Sequence, residues 1–105
     1  MTPMEIKVHS IHFDADRKLI DFIHTKIQKL DQYYDNIISS EVYLRLDKNN
    51  VEGNKVAEIR LNTPGKEMFA KKQCKSFEEA TDLAAEALRR QVRRKKGKLM
   101  NVHPA

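Results

Sequence analysis

The sequence predicts an α+β fold: a two-layer sandwich of order β-α-β-β-β-α, in which a four-stranded sheet carries two helices on one face. Three observations predict it. Four short stretches alternate apolar and polar residues with period two. Two longer stretches repeat apolar residues about every 100° around a helix. Both of the longer stretches open behind residues suited to capping a helix, Asp14 or Asp16 in one case and Ser76 in the other. A meander of three strands with the first strand added makes one sheet, and two apolar helix stripes need one of its faces to cover.

Taken in order, Met4, Ile6 and Val8 alternate with Glu5, Lys7 and His9, which predicts a half-buried first strand. Ile11 and Phe13 extend the pattern briefly. Leu19, Ile20, Ile23, Ile27, Leu30 and Tyr34 then form one stripe of a helix over about 15–34. Asp35-Asn36 marks a turn. The second strand spans 41–47, or starts as early as Ile37, with Val42, Leu44 and Leu46 inward and Tyr43 and Arg45 outward. The polar run 48–54 reads as a hairpin loop. A third strand over 55–62 turns Ala57, Ile59 and Leu61 inward, with Glu58 and Arg60 outward. Pro64-Gly65 suits a tight turn, because proline presets φ and glycine tolerates positive φ. A fourth strand over 67–74 sets Met68, Ala70 and Cys74 against Phe69, Lys71 and Gln73.

Ser76-Phe77-Glu78-Glu79 has the spacing of a capping box. The helix behind it carries Phe77, Ala80, Ala84, Ala87 and Leu88 on its apolar stripe, with Leu83 at the edge and Val92 at the end. Continued at the same angle, the stripe would run through Gln91, Lys95 and Lys98, which are not core residues. The helix is therefore expected to outrun its core near Val92. Arg89, Arg93 and Lys96 then fall on one side of it and Arg90, Arg94 and Lys98 on the next, with Gly97 a candidate helix end.

Charge follows the same division. Seven of the ten residues 89–98 are cationic, and no Asp or Glu occurs from Arg89 to Ala105. Residues 1–88 carry 13 Lys/Arg against 15 Asp/Glu, so the net +5 arises entirely at one end. One or two cations satisfy a helix dipole, and seven without a counter-charge point to a polyanionic partner. On the first helix Phe22, Lys26, Lys29 and Tyr33 make a second row beside the apolar stripe. Cations interleaved with aromatics hold phosphates and stack on bases. The plainer reading of that row is a core boundary, where lysine stems cover apolar edges.

The bulk numbers restrict the class. A chain of 105 residues is expected to be a single domain, 1–105. Cys74 is alone, which excludes an internal disulfide and fits a reducing compartment. The N-terminus lacks the pattern of a secretory signal, and no apolar run reaches membrane-spanning length, so a cytoplasmic protein is expected. His9, His12, His24 and His103 are scattered and Cys74 has no Cys partner, which leaves no metal-ligand spacing. Three glycines make no phosphate-binding loop. Neither an enzyme nor a cofactor is expected.

The local motifs carry a resemblance. Ser76-Phe77-Glu78-Glu79-Ala80-Thr81-Asp82-Leu83-Ala84 is similar to the aromatic-x-x-Ala-x-Asp start of the second helix in the ribosome hibernation-promoting factors, also called ribosome-associated inhibitor or sigma-54 modulation proteins. Leu88-Arg89-Arg90-Gln91-Val92-Arg93-Arg94-Lys95-Lys96 is similar to that helix's Leu-x-x-Gln-Leu-x-Lys-x-Lys continuation, and Lys26-Ile27-Gln28-Lys29-Leu30 to the Lys-Leu-x-Lys-Leu of the first helix. The resemblance covers about residues 4–100. It implies a fold like that of double-stranded RNA-binding domains. It also implies binding in the decoding channel of the small ribosomal subunit and silencing of translation in slow growth or stress. Carried over by position, Lys26, Lys29, Arg89, Arg90, Arg93, Arg94 and Lys96 would contact rRNA phosphates. The chain ends at Ala105, without the long second domain by which some members pair ribosomes, so a short form is expected. The implied partners are the small subunit and its rRNA, with no membrane and no small-molecule substrate, and a monomer off the ribosome. Two other readings stay open: a generic double-stranded RNA binder, and a protein-interaction module using the outer sheet face at Tyr43, Arg45, Arg60, Phe69 and Lys71.

Overall fold

Parity along the strands and period along the helices divide the apolar residues between the two layers. The computed structural model describes residues 4–11, 13–33, 37–48 and 53–101, the side chains of Tyr33, Lys66 and 93–101 excepted. Its elements are β1 (Glu5–Ser10), α1 (Arg17–Tyr33), β2 (Ser39–Leu46), β3 (Lys55–Thr63), β4 (Lys66–Cys74) and α2 (Phe77–Asn101). The expected order holds, and the strand and helix limits fall within a few residues of those read from the sequence. The turn at Asp35-Asn36, most of the 48–54 loop, His12 and His103 lie outside the described residues.

The sheet order is β1-β2-β3-β4. β1 pairs with β2 in parallel, from Glu5 opposite Ser39 to Ser10 opposite Leu44. A parallel pair needs a crossover, which α1 supplies. The β2–β3 and β3–β4 pairs are antiparallel. The last is closed at Pro64-Gly65, where Gly65 takes φ +74, a conformation that costs any residue with a Cβ. Both helix starts are capped by the side chains the sequence offers. The Leu19 amide donates to Oδ1 of Asp16 at 2.9 Å, which settles Asp16 over Asp14 as the cap. The Glu79 amide donates to Oγ of Ser76 at 3.1 Å.

The register carries one set of side chains straight across the inner face. Val8, Val42, Ile59 and Ala70 form one row, and Ile6, Ser40, Leu61 and Met68 the next. Val42, Leu44, Ala57, Ile59 and Leu61 are fully buried there, against Ile23 and Ile27 of α1 and Ala80, Ala84, Leu88 and Val92 of α2. At roughly 25 cal/mol per Å² of apolar surface, each buried Val, Leu or Ile side chain contributes on the order of 2 kcal/mol and each alanine less.

Three expectations need correction. Leu46, read as inward, is 43% exposed, because it ends its strand beyond the helices' cover. Gly97 does not end the second helix, whose backbone runs through it to Asn101. One glycine inside a helix costs about 1 kcal/mol, which a helix of this length tolerates. The apolar stripe of α2 is also wider than its alternation indicated, since Thr81 and Ala85 are buried as well.

Candidate nucleic-acid interface

Small residues let α2 lie against both the sheet and α1. Ala80, Ala84 and Ala85 are buried at these contacts, and the two helices pack side by side. That contact brings together residues more than fifty positions apart in the chain. Lys26, Lys29 and Leu30 of α1 face Asp82, Ala85, Glu86 and Arg89 of α2 across a cleft of about 220 Å³. Three of the seven residues expected to meet phosphate thus share one concave surface.

The cleft is not purely cationic. Nζ of Lys26 lies 2.8 Å from Oδ1 of Asp82 and 5.4 Å from the centroid of the Phe22 ring. The Lys26 side chain is only 27% exposed, so its stem covers apolar surface as the plainer reading of that row required. A guanidinium nitrogen of Arg89 lies 3.4 Å from a carboxylate oxygen of Glu86, one helical turn back. Lys29 is exposed at the mouth. Arg90, the next residue around α2, is also exposed. Arg93, Arg94 and Lys96 belong to the same helix, and their side chains lie outside the described residues.

Val92 is the last described core residue of α2, and the helix backbone continues to Asn101. Those further residues extend the helix by about 14 Å at 1.5 Å per residue. Gln91 sits at the margin, where its amide nitrogen donates to the Phe69 carbonyl at 3.1 Å and ties α2 to the edge strand β4. Lys26, Lys29 and Arg89 therefore lie close to the point where the described core of α2 ends and its backbone continues.

Sequence reasoning missed the two carboxylates in the cleft. The Glu86–Arg89 spacing is visible as an i,i+3 pair. Nothing in the sequence places Asp82 opposite Lys26, because that contact exists only once the helices are packed.

The opposite face of the sheet has a different character. Lys7, Glu41, Arg60 and Phe69 stand in one cross-strand row, and His9, Tyr43, Glu58 and Lys71 in the next. The His9 and Tyr43 rings stack with centroids 4.7 Å apart, and the Arg60 guanidinium lies 5.4 Å from the Tyr43 ring centroid. Arg60 also reaches Glu58 at 2.9 Å and Glu67 at 3.9 Å. The Tyr43 hydroxyl donates to Glu41, which holds that carboxyl below its ordinary range and pushes the Tyr43 hydroxyl above its own. Phe69 stands 55% exposed beside them. Cys74, at the end of β4, has its thiol pushed up by burial. Among the described residues, no three of His, Cys, Asp and Glu gather as metal ligands, and no helix is long and apolar enough to cross a membrane.

Comparison with known proteins adds to this geometry. Residues 6–100 match the model of the Sigma 54 modulation protein / S30EA ribosomal protein family. The ribosome hibernation promotion factor of Deinococcus radiodurans is 33% identical over 82 residues, which cover 76% of this chain and 42% of the relative, so the chain spans less than half of that protein. The ribosome hibernation promoting factor of Pseudomonas putida is 24% identical over 95 residues, 90% of this chain and 89% of the relative. Among solved structures, the N-terminal domain of Protein Y from Thermus thermophilus superposes with a TM-score of 0.74 at 26% identity, over 87% of this chain and 98% of that one.

Proposed function

The chain belongs to the Sigma 54 modulation protein / S30EA ribosomal protein family, and from that premise we propose that it is a ribosome hibernation factor. It binds the small ribosomal subunit in the decoding channel, where tRNA and mRNA would otherwise lie, and silences translation in slow growth or stress. It acts as a cytoplasmic, non-enzymatic binding protein, a single domain over 1–105 and a monomer off the ribosome. The observation that carries this reading is the meeting of Lys26, Lys29 and Arg89 at one cleft, from which α2 continues with no acidic residue. Arg90, Arg93, Arg94 and Lys96 extend the same patch and contact further rRNA phosphates. Contacts of this kind address a folded RNA by shape and phosphate position, as double-stranded RNA-binding domains do, with little reading of sequence.

Co-sedimentation of the protein with isolated small subunits tests the proposal. Binding is expected at low salt and falls steeply as salt rises, because each neutralised phosphate releases counterions. Replacing Arg89, Arg90, Arg93 and Arg94 with Ala is expected to abolish it. Absence of binding at low salt, or full binding by that variant, defeats the proposal. A plain RNA duplex that competes as well as ribosomes do would favour a generic double-stranded RNA binder instead.

A further inference from the structure

The cleft between α1 and α2 already holds anions of its own. We propose that it is a site for one RNA backbone phosphate, and that Asp82 is the built-in competitor which that phosphate displaces from Lys26. The inference rests on the RNA-binding reading above and specifies how its cleft discriminates among polyanions.

The cleft has room, at about 220 Å³, and three cations converge on it from two helices: Lys26, Lys29 and Arg89. Asp82 and Glu86 stand on the same wall of α2 and reduce its formal charge from +3 to +1. Asp82, 2.8 Å from the Lys26 ammonium, takes one of its three donors and offsets its charge, so a phosphate gains the full attraction of Lys26 only by displacing that carboxylate. That pair is easily exchanged. The Asp82 side chain is 57% exposed, so its carboxylate can turn to water without a burial penalty, and ion pairs this open contribute little. Lys26 is held from behind by the Phe22 ring and by its largely covered stem, so the ammonium stays in the cleft when its partner changes. Glu86 beside Arg89 repeats the arrangement one turn along α2.

The consequence is selectivity by repulsion. A phosphate entering the cleft alone meets two carboxylates and gains little. A rigid RNA surface that also lays phosphates along the helix beyond Val92 gains enough there to drive the exchange. The carboxylates thus lower affinity for any polyanion and lower it most for one that cannot engage both parts at once.

The test measures binding of the 105-residue chain to a 20-base-pair RNA duplex and to small ribosomal subunits over a range of salt, for wild type, Asp82→Asn, Glu86→Gln and each in a Lys26→Ala background. Asp82→Asn is expected to tighten duplex binding about fivefold at low salt, the upper size of an open ion pair. It should also steepen the salt dependence by close to one released counterion, roughly 0.7–0.9 in slope. Small subunits gain less, so preference for them over the duplex falls. In the Lys26→Ala background the gain from Asp82→Asn is expected to shrink below about twofold, whereas a general charge effect would persist there. Unchanged or weaker duplex binding by Asp82→Asn with an unchanged melting temperature overturns the proposal, as does an undiminished gain without Lys26, or a duplex that no variant binds. Glu86→Gln gives a second reading if Asp82→Asn melts early: it too should tighten duplex binding, and no gain counts against the proposal. Failure of wild type to bind small subunits, with the duplex gains intact, defeats the ribosome assignment and leaves the exchange standing.

Discussion

The two faces of this domain are both rich in charge and handle it in opposite ways. On the outer sheet face, Glu5, Glu41, Glu58 and Glu67 are matched by Lys7, Arg45, Arg60 and Lys71. The register sets opposite signs on neighbouring strands, Lys7 beside Glu41 beside Arg60, and Arg60 is engaged by two carboxylates and an aromatic ring. On the helix side the balance holds only as far as Glu86, and from Arg89 onward there are seven cations and no acid. Strands pair charges because a neighbour stands directly opposite each residue. Along a helix the near neighbours are three and four residues away, and beyond Glu86 the sequence offers no acid at those positions, so the summed positive field of this segment suits a polyanion. A balanced surface is fitted to solvent or to a protein, and an unbalanced one to a polyanion.

The contrast depends on one core holding both layers, and the largest expected effect tests that. Leu88 is fully buried where α2 meets the sheet. Leu88→Ala is expected to cost about 3–4 kcal/mol, read as one cooperative urea transition reported equally by helical signal and by the Tyr43 ring resonances in NMR. Two separate transitions would mean that the faces are independent units. A smaller change should touch the sheet alone. Gly65→Ala places a Cβ at φ +74 in open space, so the cost is purely conformational, about 1–2 kcal/mol. Small-subunit binding by the folded fraction should be unchanged.

Asp16→Ala acts on the helix layer by removing the cap of α1, at about 1 kcal/mol in the same urea assay. The smallest effect belongs to the outer face. Tyr43→Phe removes the hydrogen bond that lowers Glu41, whose titration followed by NMR should move up towards the ordinary glutamate range. A lowered carboxyl favours the folded state above its ordinary value and loses that contribution as pH falls through the lowered one. The hydrogen bond therefore stabilises the fold at neutral pH and ceases to do so in acid, and a Glu41 titration that stays put in Tyr43→Phe would remove Tyr43 as the cause.

Most of the fold could be read from local signals. Alternation in 55–62 put Ala57, Ile59 and Leu61 inside, and the spacing of Ser76 and Glu79 marked the start of the last helix. Leu46 departs from its inward parity because parity says which way a side chain points and not whether a helix lies over it. Val56 is buried on the face opposite the helices, between Arg45 and Gln73 in register, where its strand parity calls for an exposed residue. Gly97 does not act as a helix end because glycine caps a helix where the backbone turns left-handed, and here it stays helical. The cations of the site were evident as a run and as a row on α1. Their closeness to Asp82 was not, since the angle at which two helices meet is set by the small residues between them.

The central claim, that the helix side and not the sheet face binds rRNA, is tested most directly by two variants of equal charge. Arg89→Ala/Arg90→Ala and Arg45→Ala/Lys71→Ala each remove two cations, one pair from each face. Affinity for isolated small ribosomal subunits at fixed moderate salt is expected to fall about 100-fold for the first and to stay within about threefold for the second. Equal losses, or a larger loss from the sheet pair, would contradict the account.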